Sequence, residues 1–90
     1  MKVRYFALLR DATGKREEVW TRPAPDVRTL MSDLVALYGE RFAKWVMVGD
    51  GLAPFVAILL DGKDVRDRGG LDSSLDGVTE VDIFPPLAGG

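Results

Sequence analysis

Residues 79–86 read TEVDIFPP, a short strand pattern that stops at two prolines. Polar and apolar side chains alternate over residues 79–84, as they do in a strand with one buried face. Pro85 and Pro86 have no backbone N–H to donate to a neighbouring strand, so they end the pairing. The stretch therefore predicts a β-strand that terminates at the prolines.

The opening of the chain, residues 2–9, reads KVRYFALL and begins with the same alternation. A parallel pairing of the two strands places matching positions side by side on one face of a sheet. The predicted pairs are Lys2 with Glu80, Arg4 with Asp82, and Phe6 with Phe84. Each charge pair of this kind stabilises a sheet by about 0.2 to 1 kcal/mol. The opposite face carries apolar residues and can accept a helix.

One amphipathic helix is predicted between these two strands. Asp26 is a favourable N-cap residue, and apolar residues recur at offsets of three and four from Val27 to Tyr38. Gly39 can close the helix. A further short helical turn is expected over residues 40–46.

Two hairpins complete the predicted sheet. A turn at residues 11–14 leads into a partner strand over residues 16–21. The apolar run 55–60 is followed by an Asp-Gly pair at residues 61–62, which is favoured in tight hairpins because both positions tolerate a positive φ. A short return strand should follow at residues 64–66.

These elements predict an α+β domain of the β-grasp type. The first and last strands are parallel neighbours in the centre of a mixed sheet of four to five strands, and one main helix packs on one face. Residues 1–86 form this domain, and residues 87–90 are expected to form an extended, flexible C-terminal tail. Ninety residues leave no room for a second domain.

The composition excludes several classes of function. The chain has no Cys and no His, which removes thiol nucleophiles, imidazole bases and the usual ligands of zinc, copper and iron, so no metal site is predicted. A net charge of −2 gives no general attraction to phosphate backbones or anionic membranes, so neither nucleic acid nor a membrane is an expected partner. Without a transmembrane stretch or an apolar leader, a cytoplasmic location is expected.

Residues 84–90, which read FPPLAGG, carry the strongest indication of chemistry. Gly89 and Gly90 have no Cβ, so the walls of a partner's channel could close around their backbone. The reactive group is the α-carboxylate of Gly90, whose ordinary pKa of about 3.5 leaves it ionised at neutral pH. A carboxylate becomes an acyl donor only when ATP converts it to an acyl-adenylate, so a partner enzyme is required. The alternative is a frayed end without function.

Four segments carry a family resemblance: VRYFALLR at residues 3–10, DVRTL at 26–30, LDG at 60–62, and DG at 76–77 followed by VDIFPPLAGG at 81–90. On these segments the chain resembles the MoaD and ThiS family of ubiquitin-like sulfur carriers over its whole length. Within that family it is most similar to the small subunits of molybdopterin synthase. The last segment is the most specific of the four.

The resemblance implies a function in molybdenum cofactor biosynthesis. A ubiquitin-activating-type adenylyltransferase would adenylate Gly90, and a sulfur donor would convert the adenylate to a thiocarboxylate. The tail would then enter the large subunit of molybdopterin synthase and donate sulfur to cyclic pyranopterin monophosphate. The chain itself would bind no cofactor and have no turnover alone, because the adenylyltransferase uses the ATP.

The resemblance also assigns residues to these roles. Gly89 and Gly90 form the reactive end. The partner-binding residues are Phe6, Arg10, Leu59 and Phe84 on the body of the domain, and Pro85, Pro86, Leu87 and Ala88 in the threaded tail.

Three alternatives stay open. The chain could carry sulfur for another pathway, such as thiamine, tungsten cofactor or tRNA thiolation. It could be a ubiquitin-like protein modifier that forms isopeptide bonds through Gly90, or an interaction module with an inert tail. Asp64 stands where family members often have an apolar or aromatic residue, so we expect it to weaken or alter the surface that contacts a partner.

Overall fold

A computed structural model of the protein describes residues 1–86. The elements in chain order are β1 (Lys2–Tyr5), α1 (Leu8–Thr13), β2 (Glu17–Val19), α2 (Val27–Tyr38), α3 (Glu40–Val46), β3 (Met47–Val48), β4 (Gly51–Leu52), β5 (Ala57–Leu60), β6 (Lys63–Asp64) and β7 (Glu80–Phe84). Two 3-10 turns, Val65–Asp67 and Gly70–Asp72, lie between β6 and β7. No helix in this range is long and apolar enough to cross a membrane.

The main sheet has five strands in the order β2-β1-β7-β5-β6, and β3 and β4 form a separate small hairpin. Strands β1 and β7 are parallel neighbours in the centre, and every other pair in the main sheet is antiparallel. Lys2 lies opposite Glu80 and Arg4 opposite Asp82, so the predicted register is confirmed. This arrangement is the ubiquitin-like β-grasp fold.

The charge pairs across β1 and β7 differ in part from the prediction. Arg4 lies 3.3 Å from a carboxylate oxygen of Glu80 and 3.9 Å from one of Asp82. Lys2, in contrast, pairs with Glu17 at 3.5 Å. Glu17 lies on the other neighbour of β1, so Lys2 has two acidic neighbours within reach and binds the one on the edge strand.

Helix α2 begins and ends where the sequence predicts. The Asp26 carboxylate accepts a hydrogen bond from the Thr29 N–H at 2.8 Å, which satisfies one of the free N–H groups at the helix start. At the other end Gly39 has φ +74 and donates its N–H to the Val35 carbonyl at 2.8 Å. The predicted further helical turn is α3, which follows directly.

The core lies between α2 and the inner face of the sheet. Its largest fully buried side chains come from both layers and from α1 and α3: Tyr5, Phe42, Leu9, Leu30, Met31, Leu34, Ile58 and Ile83. Fully burying a side chain of this size stabilises a fold by about 1.5 to 3 kcal/mol before entropy is counted. The helix therefore covers one face of the sheet and leaves the other face to solvent.

The opening strand is shorter than predicted. β1 ends at Tyr5, and a six-residue helix, α1, occupies Leu8–Thr13 where the sequence analysis expected strand and turn. The chain turns at Ala7, which has φ +51, and this turn directs Leu9 into the core while Leu8 stays 40% exposed. A short apolar run fits a strand and a buried helix equally well, which explains the wrong prediction.

The other predicted strands are confirmed with shorter bounds. The partner of β1 covers Glu17–Val19 instead of residues 16–21, and the apolar strand begins at Ala57 instead of residue 55. The return strand is Lys63–Asp64, followed by a 3-10 turn. The Asp-Gly turn is confirmed, since φ is positive at both Asp61 and Gly62.

A polar cluster beneath the edge strand joins β2 to the helices. The hydroxyl groups of Tyr5 and Tyr38 both donate to the Glu18 carboxylate, the first at 2.5 Å. Lys15 lies 3.5 Å from the other carboxylate oxygen. Burial opposes the charged form of Glu18, but the bonds from the two tyrosines and the Lys15 charge hold its pKa below the ordinary value.

Candidate functional site

Phe6 and Phe84 form a stacked aromatic pair on the outer face of the sheet. Their ring centroids are 4.1 Å apart and the ring planes differ by 13°, and both side chains are half-buried. The backbone pairing extends past β1 to hold them, because the Phe6 N–H donates to the Ile83 carbonyl at 3.2 Å. An apolar patch therefore lies at the C-terminal end of β7, immediately before the two prolines.

Two guanidinium groups lie beside this pair. The central guanidinium carbons of Arg4 and Arg10 are 5.1 Å and 5.6 Å from the centroid of the Phe6 ring, within the range of a cation–π interaction. Arg10 is further fixed by a hydrogen bond from its Nε to the Tyr5 carbonyl at 3.1 Å. Arg10 thus presents a positive charge next to the aromatic pair.

Leu59 lies on the same outer face. It pairs across β5 and β7 with Asp82, two positions along from the pairing of Ala57 with Phe84, and it is half-buried. The structure therefore places Phe6, Phe84 and Leu59 on one face of three adjacent strands. Their role in binding a partner stays a prediction.

Of the predicted tail residues, the structure describes the first two. Pro85 is buried and Pro86 is half-buried, so the chain is still in contact with the body of the domain as it leaves β7. The predictions for Leu87, Ala88, Gly89 and Gly90, and for a tail over residues 87–90, lie outside the described residues.

Asp82 is a polar residue on this face that the sequence analysis paired with Arg4 but did not single out. Its Oδ1 atom is buried and has no hydrogen-bond partner among residues 1–86; the Arg4 Nε, at 3.9 Å, is too far away to donate one. Burial, and then the neighbouring charge of Glu80, raise the pKa of the Asp82 carboxyl above its ordinary value. A carboxylate whose charged form is disfavoured by burial therefore lies beside the apolar patch.

Asp64, the predicted departure from the family pattern, has a structural role. Its carboxylate accepts a hydrogen bond from the Arg66 N–H at 2.9 Å and so caps the 3-10 turn that follows β6. Asp64 also lies opposite Leu59 in the sheet. The residue adds a half-buried carboxylate to the edge of the outer face.

Phe55 is a surface residue that the sequence analysis missed, because it was assigned to the strand. It is 87% exposed, the most exposed large hydrophobic residue among residues 1–86, and its backbone has φ +67. The proline before it is the signal that could have separated it from the strand, since Pro favours the second position of a turn.

The helix side of the domain holds a shallow groove of about 530 Å³, lined by Arg28, Met31, Val35, Met47, Asp50 and Leu71 among others. None of the predicted site residues that the structure describes lines it. The Arg28 guanidinium is already paired with Asp72 at 3.0 Å. Among residues 1–86, no group of three or more acidic side chains is placed to hold a metal ion.

Comparison with known proteins places this geometry among sulfur carriers and small modifiers. The ThiS family model matches residues 3–90. Small archaeal modifier protein 3 of Haloferax volcanii is 30% identical over 92 aligned positions, which cover all of this chain and 98% of that protein.

Two solved structures extend the comparison. The Amycolatopsis orientalis BexX/CysO complex contains a chain of TM-score 0.80 and 25% identity, and the match covers 99% of this chain and 98% of that one. A putative molybdopterin converting factor, subunit 1, from Pyrococcus furiosus has a TM-score of 0.67 and 28% identity, with 96% and 95% covered.

Proposed function

Because the chain belongs to the ThiS family of ubiquitin-like sulfur carriers, we propose that Gly90 is its reactive residue and that it carries sulfur as a thiocarboxylate there. The observation that carries the proposal is the family match, which extends through the Gly-Gly pair at residues 89–90. The absence of Cys and His from the chain supports it, since no thiol nucleophile and no imidazole base is available.

Two steps would load the carrier. A carboxylate oxygen of Gly90 attacks the α-phosphorus of ATP, bound by a separate adenylyltransferase, and pyrophosphate leaves. A sulfur donor at the oxidation level of sulfide then attacks the acyl carbon, and AMP leaves with the electrons of the broken C–O bond. The product is a thiocarboxylate, whose sulfur can be passed to an acceptor.

The acceptor that we propose is cyclic pyranopterin monophosphate, bound in the large subunit of molybdopterin synthase. The resemblance of the sequence to the small subunit of that enzyme supports this acceptor, as does the likeness to the Pyrococcus furiosus protein described as a putative molybdopterin converting factor subunit. The stacked pair of Phe6 and Phe84, with Arg10 and Leu59 beside it, would be the surface that contacts the large subunit.

A second candidate function is protein modification through Gly90. The observation that favours it is the relative from Haloferax volcanii, a small archaeal modifier protein that this chain matches from end to end. Both functions begin with adenylation of the terminus. They differ in what attacks the acyl carbon afterwards, a sulfur nucleophile in one case and a lysine ε-amine in the other.

Intact-mass analysis tests the proposal. The chain is incubated with ATP, a sulfur donor and an adenylyltransferase from the same organism. Replacement of one carboxylate oxygen by sulfur at Gly90 is expected for a carrier. An adduct between Gly90 and a lysine ε-amine in cell extracts, without the sulfur product, would favour the modifier. An unchanged terminus in both experiments would contradict the proposal and leave an inert interaction module.

Deletion of Gly90 and the substitution Gly89→Val serve as the matched variants. Both should abolish the sulfur product, the first by removing the reactive carboxylate and the second by adding a β-branched side chain where a channel must close around the backbone. Thermal unfolding should stay nearly unchanged, because the hydrophobic core that the structure describes is already closed by residues between Val3 and Ile83. A large loss of stability in either variant would assign these glycines a structural role instead.

A further inference from the structure

Phe55 lies in a tight turn whose geometry ordinarily calls for glycine. Residues 53–56 form a β-turn closed by the Val56 N–H, which donates to the Ala53 carbonyl at 3.3 Å. Pro54 is at the second position and Phe55, with φ +67, at the third. A positive φ at the third position with Pro at the second is typical of a type II turn, where Gly is the usual third residue. Phenylalanine is strained there.

The fold gains little from the Phe55 ring. The side chain is 87% exposed and does not belong to the core or to the residues packed against it. A bulky apolar residue in a strained conformation and in contact with water contributes neither burial nor favourable backbone geometry. Its placement therefore points to a use outside the folding of this domain.

The turn is held rigidly by a side chain from elsewhere in the chain. The Arg66 guanidinium donates from Nη2 to the Ala53 carbonyl at 2.8 Å and to the Val56 carbonyl at 3.0 Å, so it bridges the two ends of the turn. Arg66 is itself positioned by the Asp64 cap on its backbone N–H. The backbone that carries Phe55 is thus held at both ends of the turn, which lowers the entropy cost of binding through this residue.

The position of the turn relates it to the C-terminal segment. Ala57, two residues after Phe55, pairs with Phe84 in antiparallel β5 and β7. The turn therefore lies at the same end of the sheet as Pro85 and Pro86, where the chain leaves β7. A protein that binds the residues beyond Pro86 must come close to this end of the sheet.

The charge at the ends of this turn indicates the chemistry of that protein. Among the described residues, no carboxylate lies within ion-pair distance of the Arg66 guanidinium, and the residue is exposed. An apolar pocket with a carboxylate at its rim would match an exposed phenyl ring on a turn whose two ends are bridged by a guanidinium. Such an anchor, an aromatic ring in a pocket with a charged rim, is typical of protein interfaces.

We propose that Phe55 is a binding anchor for the adenylyltransferase that activates Gly90, received by an apolar pocket with an acidic rim facing Arg66. This inference rests on the proposed function. The adenylyltransferase is the partner chosen because both the carrier and the modifier need the terminus activated before anything else. Phe55 does not touch the reacting atoms, so it is a positioning residue for this reaction.

The test is the steady-state rate of ATP-dependent adenylation by the adenylyltransferase, measured by pyrophosphate release at varied carrier concentration. For Phe55→Gly the KM for the carrier should rise by about tenfold with kcat nearly unchanged, as expected when an interface anchor is lost. The thermal midpoint of the same variant should be equal to or higher than that of the native chain, because glycine relieves the positive φ. A purely structural role for Phe55 would not give this combination.

Val19 supplies the matched control, since it is 70% exposed and lies on β2 at the opposite edge of the sheet. Val19→Ser should leave the KM unchanged, whereas Phe55→Ser should raise it. Arg66→Gln keeps an N–H₂ donor for the turn but removes the charge, so it should raise the KM by a smaller factor and reduce its dependence on salt concentration.

The outcomes separate this inference from the proposed function. If the native chain is adenylated and Phe55→Gly has the native KM, the binding role proposed for Phe55 is wrong and the proposed function stands. If Arg66→Gln changes neither the KM nor its salt dependence, the adenylyltransferase has no acidic rim facing Arg66. If the native chain is not adenylated at all, the proposed function fails, and the anchor fails with it.

Discussion

The two faces of the central sheet use the same strands for different purposes. On the inner face, Val3, Val81 and Ile83 are fully buried under the helices. On the outer face, alternate residues of the same strands include the stacked Phe6 and Phe84, which stay half-exposed. Aromatic residues that are not needed to close the core are left where another protein can reach them. The comparison shows that the core uses one face, and the partner binding proposed above would use the other.

Ile83→Ala tests the inner face and should have the largest effect on stability. Ile83 is fully buried in the central strand, so the substitution leaves a cavity and should lower the free energy of unfolding by about 2 to 5 kcal/mol. Urea denaturation measures this change. At a temperature where the variant is folded, its affinity for the proposed large synthase subunit should equal that of the native chain. A weaker affinity of the folded variant would show that the faces are not separate.

Phe84→Ala is the matched change on the outer face, one residue along the same strand. The substitution removes a half-buried ring that stacks on Phe6 at 4.1 Å. The free energy of unfolding should therefore fall by about 1 to 2 kcal/mol, less than for Ile83→Ala. Binding to the proposed large synthase subunit should weaken by at least tenfold, as it does when a central anchor is removed. Isothermal titration calorimetry measures this loss.

The opposite result for Phe84→Ala would contradict the division of roles between the two faces. If the variant loses as much stability as Ile83→Ala and binds the large subunit with native affinity, the ring belongs to the core. Phe6→Glu gives a second measurement on the same surface, because it places a charge in the stacked pair without touching the inner face. It should likewise weaken binding more than folding.

Sequence reasoning predicted most of the central architecture because the information there is local or repeated. The alternation at residues 79–84 matches that of the first strand, so the pattern alone predicts the register. Asp26 and Gly39 mark the ends of α2 through their own capping contacts. The stacking of Phe6 on Phe84 follows from the same register.

The parts that the sequence did not predict depend on contacts between distant residues. Helix α1 forms because Leu9 reaches the core from a turn at Ala7, and an apolar run does not show that direction. The turn at Phe55 is held by Arg66, which lies eleven positions later in the chain. The preference of Lys2 for Glu17 over Glu80 depends on which of two flanking strands offers its carboxylate.

Asp82→Asn should have the smallest effect and tests a polar residue of the outer face. The pKa of Asp82 is raised by burial and by Glu80, so the folded state keeps this proton to a higher pH than the unfolded chain does. Stability from this group is therefore greatest below the ordinary pKa and falls as the pH rises through the raised value. An asparagine is neutral at every pH and avoids this loss.

The variant should be more stable than the native chain by less than about 1 kcal/mol at about pH 7, and the difference should shrink at about pH 3, where both side chains are neutral. Urea denaturation at the two pH values measures it, with Glu17→Gln as control. Glu17 pairs with Lys2 at 3.5 Å on the other side of β1, so its replacement should bring no gain. If Asp82→Asn is instead less stable at neutral pH, the attraction of Arg4 outweighs burial, and Asp82 belongs with the groups that stabilise the sheet.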